Sequence, residues 1–254
     1  MNLPPVGLGT MGIDDPDVIA TAIDLGYRHL DTAQIYDNEA VVGDGIARSD
    51  VPREELTVAT KVWADSLEPE AVHESTAASL DRLGLERVDL LYVHRPIETY
   101  DPERTLPAFD ALRTAGQIDH VGLSNFTPDE LETAASILEA PIAAHQVEFH
   151  PLFVEAELLE HAREHDYPLV AYSPLAGGRV GEFEPVVSIA ERYDRTPETV
   201  ALAWALAHDG VRVIPKASSR GHLEANLAAP AVELEADDVA AIDGIERTEE
   251  LFPE

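Results

Sequence analysis

Four side chains of complementary chemistry lie near the carboxyl ends of predicted strands. Asp31 ends the second predicted strand and Tyr36 follows it, Lys61 ends the third, and His94 ends the fourth. A Tyr hydroxyl has a pKa of about 10, and a nearby ammonium lowers that pKa by favouring the phenolate. Asp31 could hold Lys61 charged, and His94 could hydrogen-bond a substrate oxygen and fix its direction. The set predicts proton transfer at an oxygen, and because no side chain delivers hydride, a redox reaction would need a cofactor.

Each of these residues by itself also has a structural interpretation. A Tyr near a strand end is often an amphipathic wall residue, a single His is often a core residue, and an Asp–Lys pair is often a salt bridge. The scarcity of lysine favours the catalytic interpretation over the structural one. Only two of the 17 basic residues are lysines, Lys61 and Lys216, and both fall at the ends of predicted strands. Arginine serves any solvated face, but its pKa and forked shape do not replace a compact ammonium beside a phenol.

Short β-branched runs alternate with longer amphipathic segments along the chain and predict eight strands. The expected strands are Val6–Gly9, His29–Asp31, Thr57–Lys61, Val88–His94, His120–Ser124, His145–Glu148, Leu169–Ser173 and Val211–Pro215. Eight strand–helix alternations without a linker or a shift in composition favour an α/β fold, a single (β/α)8 barrel domain spanning residues 1–254. In such a barrel the reactive side chains lie at the carboxyl ends of the strands, where the four residues above are found.

The segments between the strands carry apolar residues at helical spacing. One expected helix, Pro128–Leu138, has Thr127 and Glu130 placed to form a capping box at its start. Two helical segments late in the chain follow one another without an intervening strand, which predicts one extra helix; they are Val186–Tyr193 and Pro197–His208.

A doubly wound dinucleotide-binding sheet is the alternative fold. Residues 7–12 have the spacing G-x-G-x-x-G, and Asp31 follows at about the distance that a dinucleotide fingerprint requires. However, Asp14, Asp15 and Pro16 place the helix start after the third glycine, and two carboxylates at that helix end would repel a pyrophosphate. The barrel is therefore the favoured fold.

The charge is strongly negative and evenly distributed, with 49 acidic against 17 basic residues and a formal net charge of −32. Such a surface repels nucleic acid and anionic membranes, so the expected partner is a small molecule. We hypothesise adaptation to high salt, where self-repulsion is screened. The chain has no cysteine, no apolar run long enough to span a membrane and no signal pattern at its start, which predicts a soluble cytoplasmic protein.

Several motifs, taken in order, resemble those of the aldo-keto reductase family. They are Gly7-Leu8-Gly9-Thr10, Leu30-Asp31-Thr32-Ala33 with Tyr36, Asn38 and Glu39, Thr60-Lys61, His94-x-Pro96, Gly122-x-Ser124-Asn125-Phe126, Gln146-x-Glu148-x-His150-Pro151, Tyr172-Ser173-Pro174-Leu175 and Ile214-Pro215-Lys216. The resemblance implies a (β/α)8 barrel that reduces an aldehyde or ketone reversibly with a nicotinamide dinucleotide. It also implies that Tyr36 is the general acid, that Lys61 and Asp31 lower its pKa, and that His94 orients the carbonyl.

The resemblance further assigns residues to the cofactor. Ser124, Asn125 and Gln146 would hold the carboxamide and Tyr172 would stack on the nicotinamide ring. The Ser173–Leu175 turn would face the pyrophosphate and Lys216 the adenosine-side phosphate. The other expected cofactor-binding residues are Ser218, Arg220, His222 and Asn226. The segment after Lys216 departs from the family pattern at Ala217, His222 and Ala225, so it lacks the arginine that grips a 2′-phosphate. NADP(H) is favoured and NAD(H) stays open.

The substrate pocket departs from the family pattern in two places. Arg95 replaces the aromatic residue of many relatives; facing the pocket, it would favour an acidic or polyhydroxylated substrate, and facing a helix it would be a salt-bridge residue. Trp63 is expected to be an apolar pocket wall. Only residues 246–254 follow Ile245, so we expect the closing C-terminal loop to be nearly absent and the pocket to be open to a broad range of carbonyl compounds.

Two other functions compete with a monomeric carbonyl reductase. The first is a non-catalytic, nicotinamide-binding regulatory subunit of the same fold. The second is a metal-dependent barrel hydrolase, which is disfavoured because no H-x-H pair ends the first strand and His29, His120 and His145 are expected at strand starts. His161 and His165, on one helix face, are expected to be solvated, and no metal is expected.

Overall fold

The computed structural model describes residues 1–246 and 249–252. Its eight strands are all parallel and are hydrogen-bonded in the order of the chain from β1 to β8. A parallel bridge between Val6 and Val213 joins the two edges, with the Gly7 amide donating to the Val213 carbonyl at 2.8 Å. The predicted α/β barrel is confirmed. The strands are β1 Leu8–Gly9, β2 His29–Asp31, β3 Thr57–Val62, β4 Val88–Val93, β5 Ile118–Ser124, β6 Ile142–Glu148, β7 Leu169–Tyr172 and β8 Val211–Val213.

Helices surround the barrel and begin at the predicted types of signal. Thr127 and Glu130 form the expected capping box, and Gly26 ends the first helix in the left-handed conformation that glycine adopts without strain. The extra helix late in the chain is confirmed. The helices are α1 Pro16–Leu25, α2 Glu39–Arg48, α3 Pro69–Leu83, α4 Pro102–Thr114, α5 Pro128–Ile137, α6 Ala156–Glu164, α7 Glu184–Tyr193, α8 Pro197–Leu206, α9 Arg220–Leu227 and α10 Ala236–Asp243. Among the described residues, no helix is long and apolar enough to cross a membrane.

The Gly-rich segment at residues 7–12 closes the barrel and does not open a Rossmann helix. A Cβ on Gly7 would lie 2.5 Å from the His29 ring, and a Cβ on Gly9 would lie 2.5 Å from the Ile214 carbonyl oxygen. These glycines are needed because β1 passes close to its neighbours β2 and β8. The spacing that suggested a dinucleotide fingerprint therefore has a packing cause.

Several predicted boundaries were wrong. β5 begins at Ile118 and β6 at Ile142, so His120 and His145 lie within their strands and not at the starts. β7 ends before Ser173, whose φ of 48° breaks the extended conformation. His161 was also expected to be solvated, but it is only 8% exposed because α6 turns it towards Tyr167 and α5.

Strand alternation decides which side chains enter the barrel. A small apolar cluster inside it includes Ala59, Leu90, Ala144 and Val170. Successive residues of a strand point to opposite faces, so the side chains two positions later along these strands also face inwards and lie nearer the carboxyl end. They are Lys61, Tyr92, Gln146 and Tyr172. The larger apolar cluster packs the strands against the helices.

Candidate active site

A cavity of about 500 Å³ opens at the carboxyl ends of the strands. Its lining includes three of the predicted catalytic residues: Asp31 at the end of β2, Tyr36 in the loop after β2, and His94 directly after β4. Tyr172, the last residue of β7, and Lys216, which follows β8, line it as well. The fold thus brings together side chains that are up to 185 positions apart in the sequence.

Lys61 and Asp31 form an ion pair at the cavity floor, and both are almost completely buried. The Lys61 ammonium also donates to the Thr32 carbonyl oxygen at 2.9 Å. The second oxygen of Asp31 accepts from the Gln146 amide at 2.7 Å. Burial by itself would lower the pKa of Lys61, but the charge of Asp31, followed by Tyr36, raises that pKa above its ordinary value. Lys61 is therefore charged across the physiological pH range.

Tyr36 reaches the cavity from a single 3₁₀ turn, Gln34–Tyr36, that follows β2. The Lys61 ammonium nitrogen lies 5.1 Å from the centre of its ring. Asn38 fixes the turn from behind, because its amide donates to the carbonyl oxygens of Thr10 at 2.7 Å and Ile13 at 3.0 Å. The asparagine of the Tyr-x-Asn motif is thus a positioning residue for the loop that carries the phenol.

Glu39, next to that asparagine, is 1% exposed. Its carboxylate accepts from the Thr60 hydroxyl at 2.5 Å and from Arg82 at 2.6 Å. These bonds join the start of α2 to the residue before Lys61 and to α3. The loop bearing Tyr36 and the strand bearing Lys61 are consequently held in a fixed relation.

His94 follows β4 and is neutral. Burial, then the positive charges of Lys61 and Arg95, lower its pKa to about 2. Its ring packs edge-on against Tyr36, with centroids 6.0 Å apart, and against Trp63 at 4.9 Å. A neutral imidazole is a hydrogen-bond donor without a positive charge, so it can orient a polar oxygen and leave proton donation to the phenol.

Amide and hydroxyl groups beside this set form a connected network. The Tyr172 hydroxyl donates to the Asn125 side-chain oxygen at 3.0 Å, and the Asn125 amide donates to the His94 carbonyl oxygen at 3.0 Å and to the Ser124 hydroxyl oxygen at 3.1 Å. Asn125 has a φ of 61°, a conformation that asparagine tolerates better than most residues. The network explains why Asn follows Ser at the end of β5.

The remaining residues that are expected to bind the cofactor fall into two groups. Ser173, Leu175 and Lys216 line the cavity, and Lys216 is exposed there. The other group lies in or just before α9: Ser218, Arg220 and His222 are exposed, and Asn226 is buried. Arg220 pairs with Glu224 at 2.9 Å along the same helix. The buried Asn226 side-chain nitrogen has no hydrogen-bond partner among the described residues.

The pocket wall includes Trp63 and Arg95, as expected, and also the C-terminal segment. The Glu148 carboxylate accepts the backbone amides of Leu251 at 2.7 Å and Phe252 at 3.1 Å, and Arg95 donates to the Phe252 carbonyl oxygen at 2.9 Å. Phe252 packs edge-on against Tyr172, with centroids 5.8 Å apart. The short C-terminal segment therefore contributes Phe252 to the pocket wall, because a buried acceptor on β6 holds it there.

The sequence reasoning missed several pocket and support residues. Met11, Ile35 and Phe252 line the cavity, and each is more than a third exposed. For Met11 and Ile35, the available signal was a large apolar side chain in the loop directly after a predicted strand. Tyr92 lies fully buried below the site, with its ring centre 5.9 Å from the Lys61 nitrogen, and only inward strand alternation could have pointed to it.

Comparison with known proteins agrees with this geometry. The model of the Aldo/keto reductase family matches residues 5–247. The chain belongs to this family. A relative named methylglyoxal reductase DkgB, from Escherichia coli O157:H7, is 37% identical over 257 residues, covering 99% of this chain and 96% of that protein.

Two solved structures are similar to this aldo/keto reductase. An aldo-keto reductase enzyme from a Medee basin deep-sea metagenome library has a TM-score of 0.94 and 31% identity, covering 100% of this chain and 95% of that one. The aldose reductase of Schistosoma japonicum has a TM-score of 0.93 and 26% identity, covering 99% and 91%. This aldo/keto reductase is therefore an oxidoreductase that reduces carbonyl groups of small molecules with a nicotinamide cofactor. Nothing in the comparisons favours the non-catalytic alternative.

Proposed function

We propose that Tyr36 donates the proton to the carbonyl oxygen, with Lys61, Asp31 and His94 acting around it. The observation that carries this is the buried Lys61–Asp31 pair directly below the Tyr36 ring, 5.1 Å from its centre. As the phenol gives up its proton, the ammonium stabilises the negative charge left on its oxygen. Asp31 keeps the ammonium protonated, and the neutral His94 donates a hydrogen bond to the same carbonyl oxygen.

The remaining cavity residues fit a nicotinamide dinucleotide. Asn125 and Gln146 offer amide groups, Tyr172 offers a half-buried ring on the wall, and Lys216 offers a positive charge. The buried, unpartnered nitrogen of Asn226 in the described chain is a further donor for a ligand at α9. A bound nicotinamide supplies the hydride that the side chains lack. Tyr172 and the amides would orient its ring towards the carbonyl held by Tyr36 and His94.

Tyr36→Phe tests the proton donor. We expect the rate of NADPH-dependent reduction of methylglyoxal to fall by about 10²–10⁴-fold, the range typical of a lost general acid. Binding of NADPH, measured by fluorescence titration, should be retained. Tyr100→Phe is the matched control, since Tyr100 is also half-buried but packs on Phe126 away from the cavity. Full activity of Tyr36→Phe would refute the assignment.

We further propose a preference for NADP(H) over NAD(H). Lys216 lines the cavity, whereas Arg220 is paired with Glu224 and does not replace the missing family arginine. A lysine recognises a phosphate as a point charge. Lys216→Met should therefore weaken NADPH binding about tenfold and NADH binding much less, at the level of one charge-assisted hydrogen bond. Equal dissociation constants for the two cofactors in the unmodified enzyme would contradict the preference.

For the substrate, we propose small aldehydes with a polar or acidic group beside the carbonyl. Trp63, Ile35 and Phe252 supply apolar walls, and Arg95 lines the same cavity next to His94. Related proteins are named for methylglyoxal and aldose reduction. Kinetics with pairs of aldehydes that differ only in a carboxylate test the idea: the acidic member should have the lower KM, and Arg95→Met should remove the difference.

Finally, we propose a monomer adapted to high salt. Among the described residues, large exposed apolar side chains are Met11, Ile35, Val154 and Phe252, and three of them line the cavity, which leaves little apolar surface for an interface. The net charge of −32 destabilises the compact state by self-repulsion unless salt screens it. Light scattering should give the monomer mass, and thermal stability should rise between about 10 mM and 1 M KCl.

A further inference from the structure

A cluster of two histidines and a glutamate lies in the outer helical layer, outside the cavity. His161 is in the last turn of α6 and His165 follows that helix, while Glu132 projects from α5. Helices return antiparallel to the strands, so the end of α6 lies near the amino ends of the strands, away from the carbonyl site. None of the three residues has a part in the reaction.

The three ligand atoms converge on one point. His161 Nε2 lies 3.2 Å and His165 Nε2 lies 3.1 Å from the same Glu132 oxygen, and all three atoms lie within 4.8 Å of one another. The two imidazole rings are stacked, with centroids 4.2 Å apart and an angle of 13° between their planes. Two ligands about 2 Å from a shared tetrahedral zinc ion lie about 3.3 Å apart. The nitrogen–oxygen distances match the edges of such a site.

His161 is held in the orientation of a metal ligand. Its Nδ1 lies 2.6 Å from the Tyr167 hydroxyl, and this contact fixes the ring. Its Nε2 is buried and has no hydrogen-bond partner among the described residues, although Glu132 is close. Two ligand atoms of one metal ion are close to each other without being hydrogen-bonded, as His161 Nε2 and the Glu132 oxygen are here. The reason is that the lone pairs of both atoms point to the ion and not to each other. A hydrogen bond from the second ring nitrogen is the usual support of a metal-bound histidine.

We propose that Glu132, His161 and His165 bind one zinc-type divalent transition metal ion, which cross-links α5 and α6. Two imidazoles and a carboxylate are zinc ligands, and water would complete the coordination. The charge environment favours a cation, because the carboxyl end of α6 carries the negative end of the helix dipole and the protein as a whole is strongly acidic. A metal ion that binds only the folded protein, and not the unfolded chain, raises the free energy of unfolding.

Calorimetric titration of the chelator-treated enzyme with ZnCl₂, in excess MgCl₂ and KCl to saturate weak carboxylate sites, tests the proposal. We expect one zinc ion per chain and a rise in the thermal midpoint, with methylglyoxal reduction unchanged. His165→Ala and Glu132→Gln alter exposed ligands and should each weaken binding by more than tenfold and abolish the thermal shift. Tyr167→Phe should weaken binding about tenfold, as outer-shell changes do.

His73→Ala is the matched control, since His73 is an exposed histidine on α3. It should bind zinc as the unmodified enzyme does. The absence of one-to-one binding in the unmodified enzyme would overturn the proposal. The proposal would also be overturned if His165→Ala and Glu132→Gln bound zinc as tightly as the unmodified enzyme does. A loss of zinc affinity in His73→Ala as large as that in His165→Ala would overturn it as well.

Discussion

Buried neutral histidines should make this enzyme acid-sensitive. Burial lowers the pKa of His94 to about 2 and that of His145 to about 3, in the second case with help from His161, and it also lowers the pKa of His29. A histidine whose pKa is lowered in the folded protein takes up its proton only after unfolding. The folded state is therefore undisturbed above pH 6.5, the ordinary value, and loses stability as the pH falls below it.

The size of the effect follows from linkage. Each such histidine contributes about 1.36 kcal/mol per pH unit, so moving from pH 6.5 to about pH 5 costs about 2 kcal/mol for one residue. His94 and His145 together cost about 4 kcal/mol over that interval, and His29 acts in the same direction. The free energy of unfolding of a domain is only about 5–15 kcal/mol in total, so this loss is a large fraction of the stability.

Urea unfolding at about pH 7.5 and pH 5 measures this loss. The experiment is best run in about 1 M KCl, where the screening length is near 3 Å and protonation of surface carboxylates changes repulsion little. Chelator-treated protein avoids any metal at His161. His145→Gln removes one titrating group and should reduce the pH dependence by about 1.36 kcal/mol per unit, whereas His73→Gln, at an exposed position, should leave it unchanged.

Two results would refute the reasoning. The first is a free energy of unfolding that is the same at both pH values. The second is a His145→Gln variant that folds and keeps the full pH dependence of the unmodified protein. If His145→Gln does not fold, titration of the histidine ring signals by NMR gives the same information, since signals of buried rings should stay in the neutral form at about pH 5.

Two further changes probe the support of the site. Asp31→Asn leaves the Lys61 ammonium buried without its counter-charge. The free energy of unfolding, measured by thermal unfolding, should therefore fall by about 3–5 kcal/mol. An unchanged thermal midpoint would contradict the assigned ion pair. Glu148→Gln keeps the side-chain size but weakens the acceptor that holds Leu251 and Phe252. We expect KM for aldehydes large enough to touch Phe252 to change while the kinetics of methylglyoxal stay the same, and equal effects on both substrates would argue against a role in the pocket wall.

Patterns along the chain predicted the barrel because short local sequence signals mark where most of its strands and helices lie. β-branched runs, the capping box at Thr127 and the stop at Gly26 each depend on a few neighbouring residues. Strand boundaries were less predictable. Hydrogen bonding to neighbouring strands decides where β5 and β6 begin, and that information lies in distant residues: Ile118 pairs with Val88, and Ile142 pairs with Val121. The glycine spacing at residues 7–12 was also misleading, because its cause lies far along the chain. Gly9 is needed where β1 packs against Ile214, yet the spacing by itself resembles a dinucleotide fingerprint.

The sequence by itself determined the residue types at the strand ends, and with them the candidate proton donor Tyr36, its partner Lys61 and the carbonyl-orienting His94. The three-dimensional structure decided what surrounds them. Burial keeps His94 neutral, the carboxylate of Asp31 keeps the buried Lys61 charged, and Glu148 draws Phe252 over the pocket. Charge states and pocket walls depend on desolvation and on contacts between distant segments, and neither is a property of residues that are neighbours in the chain.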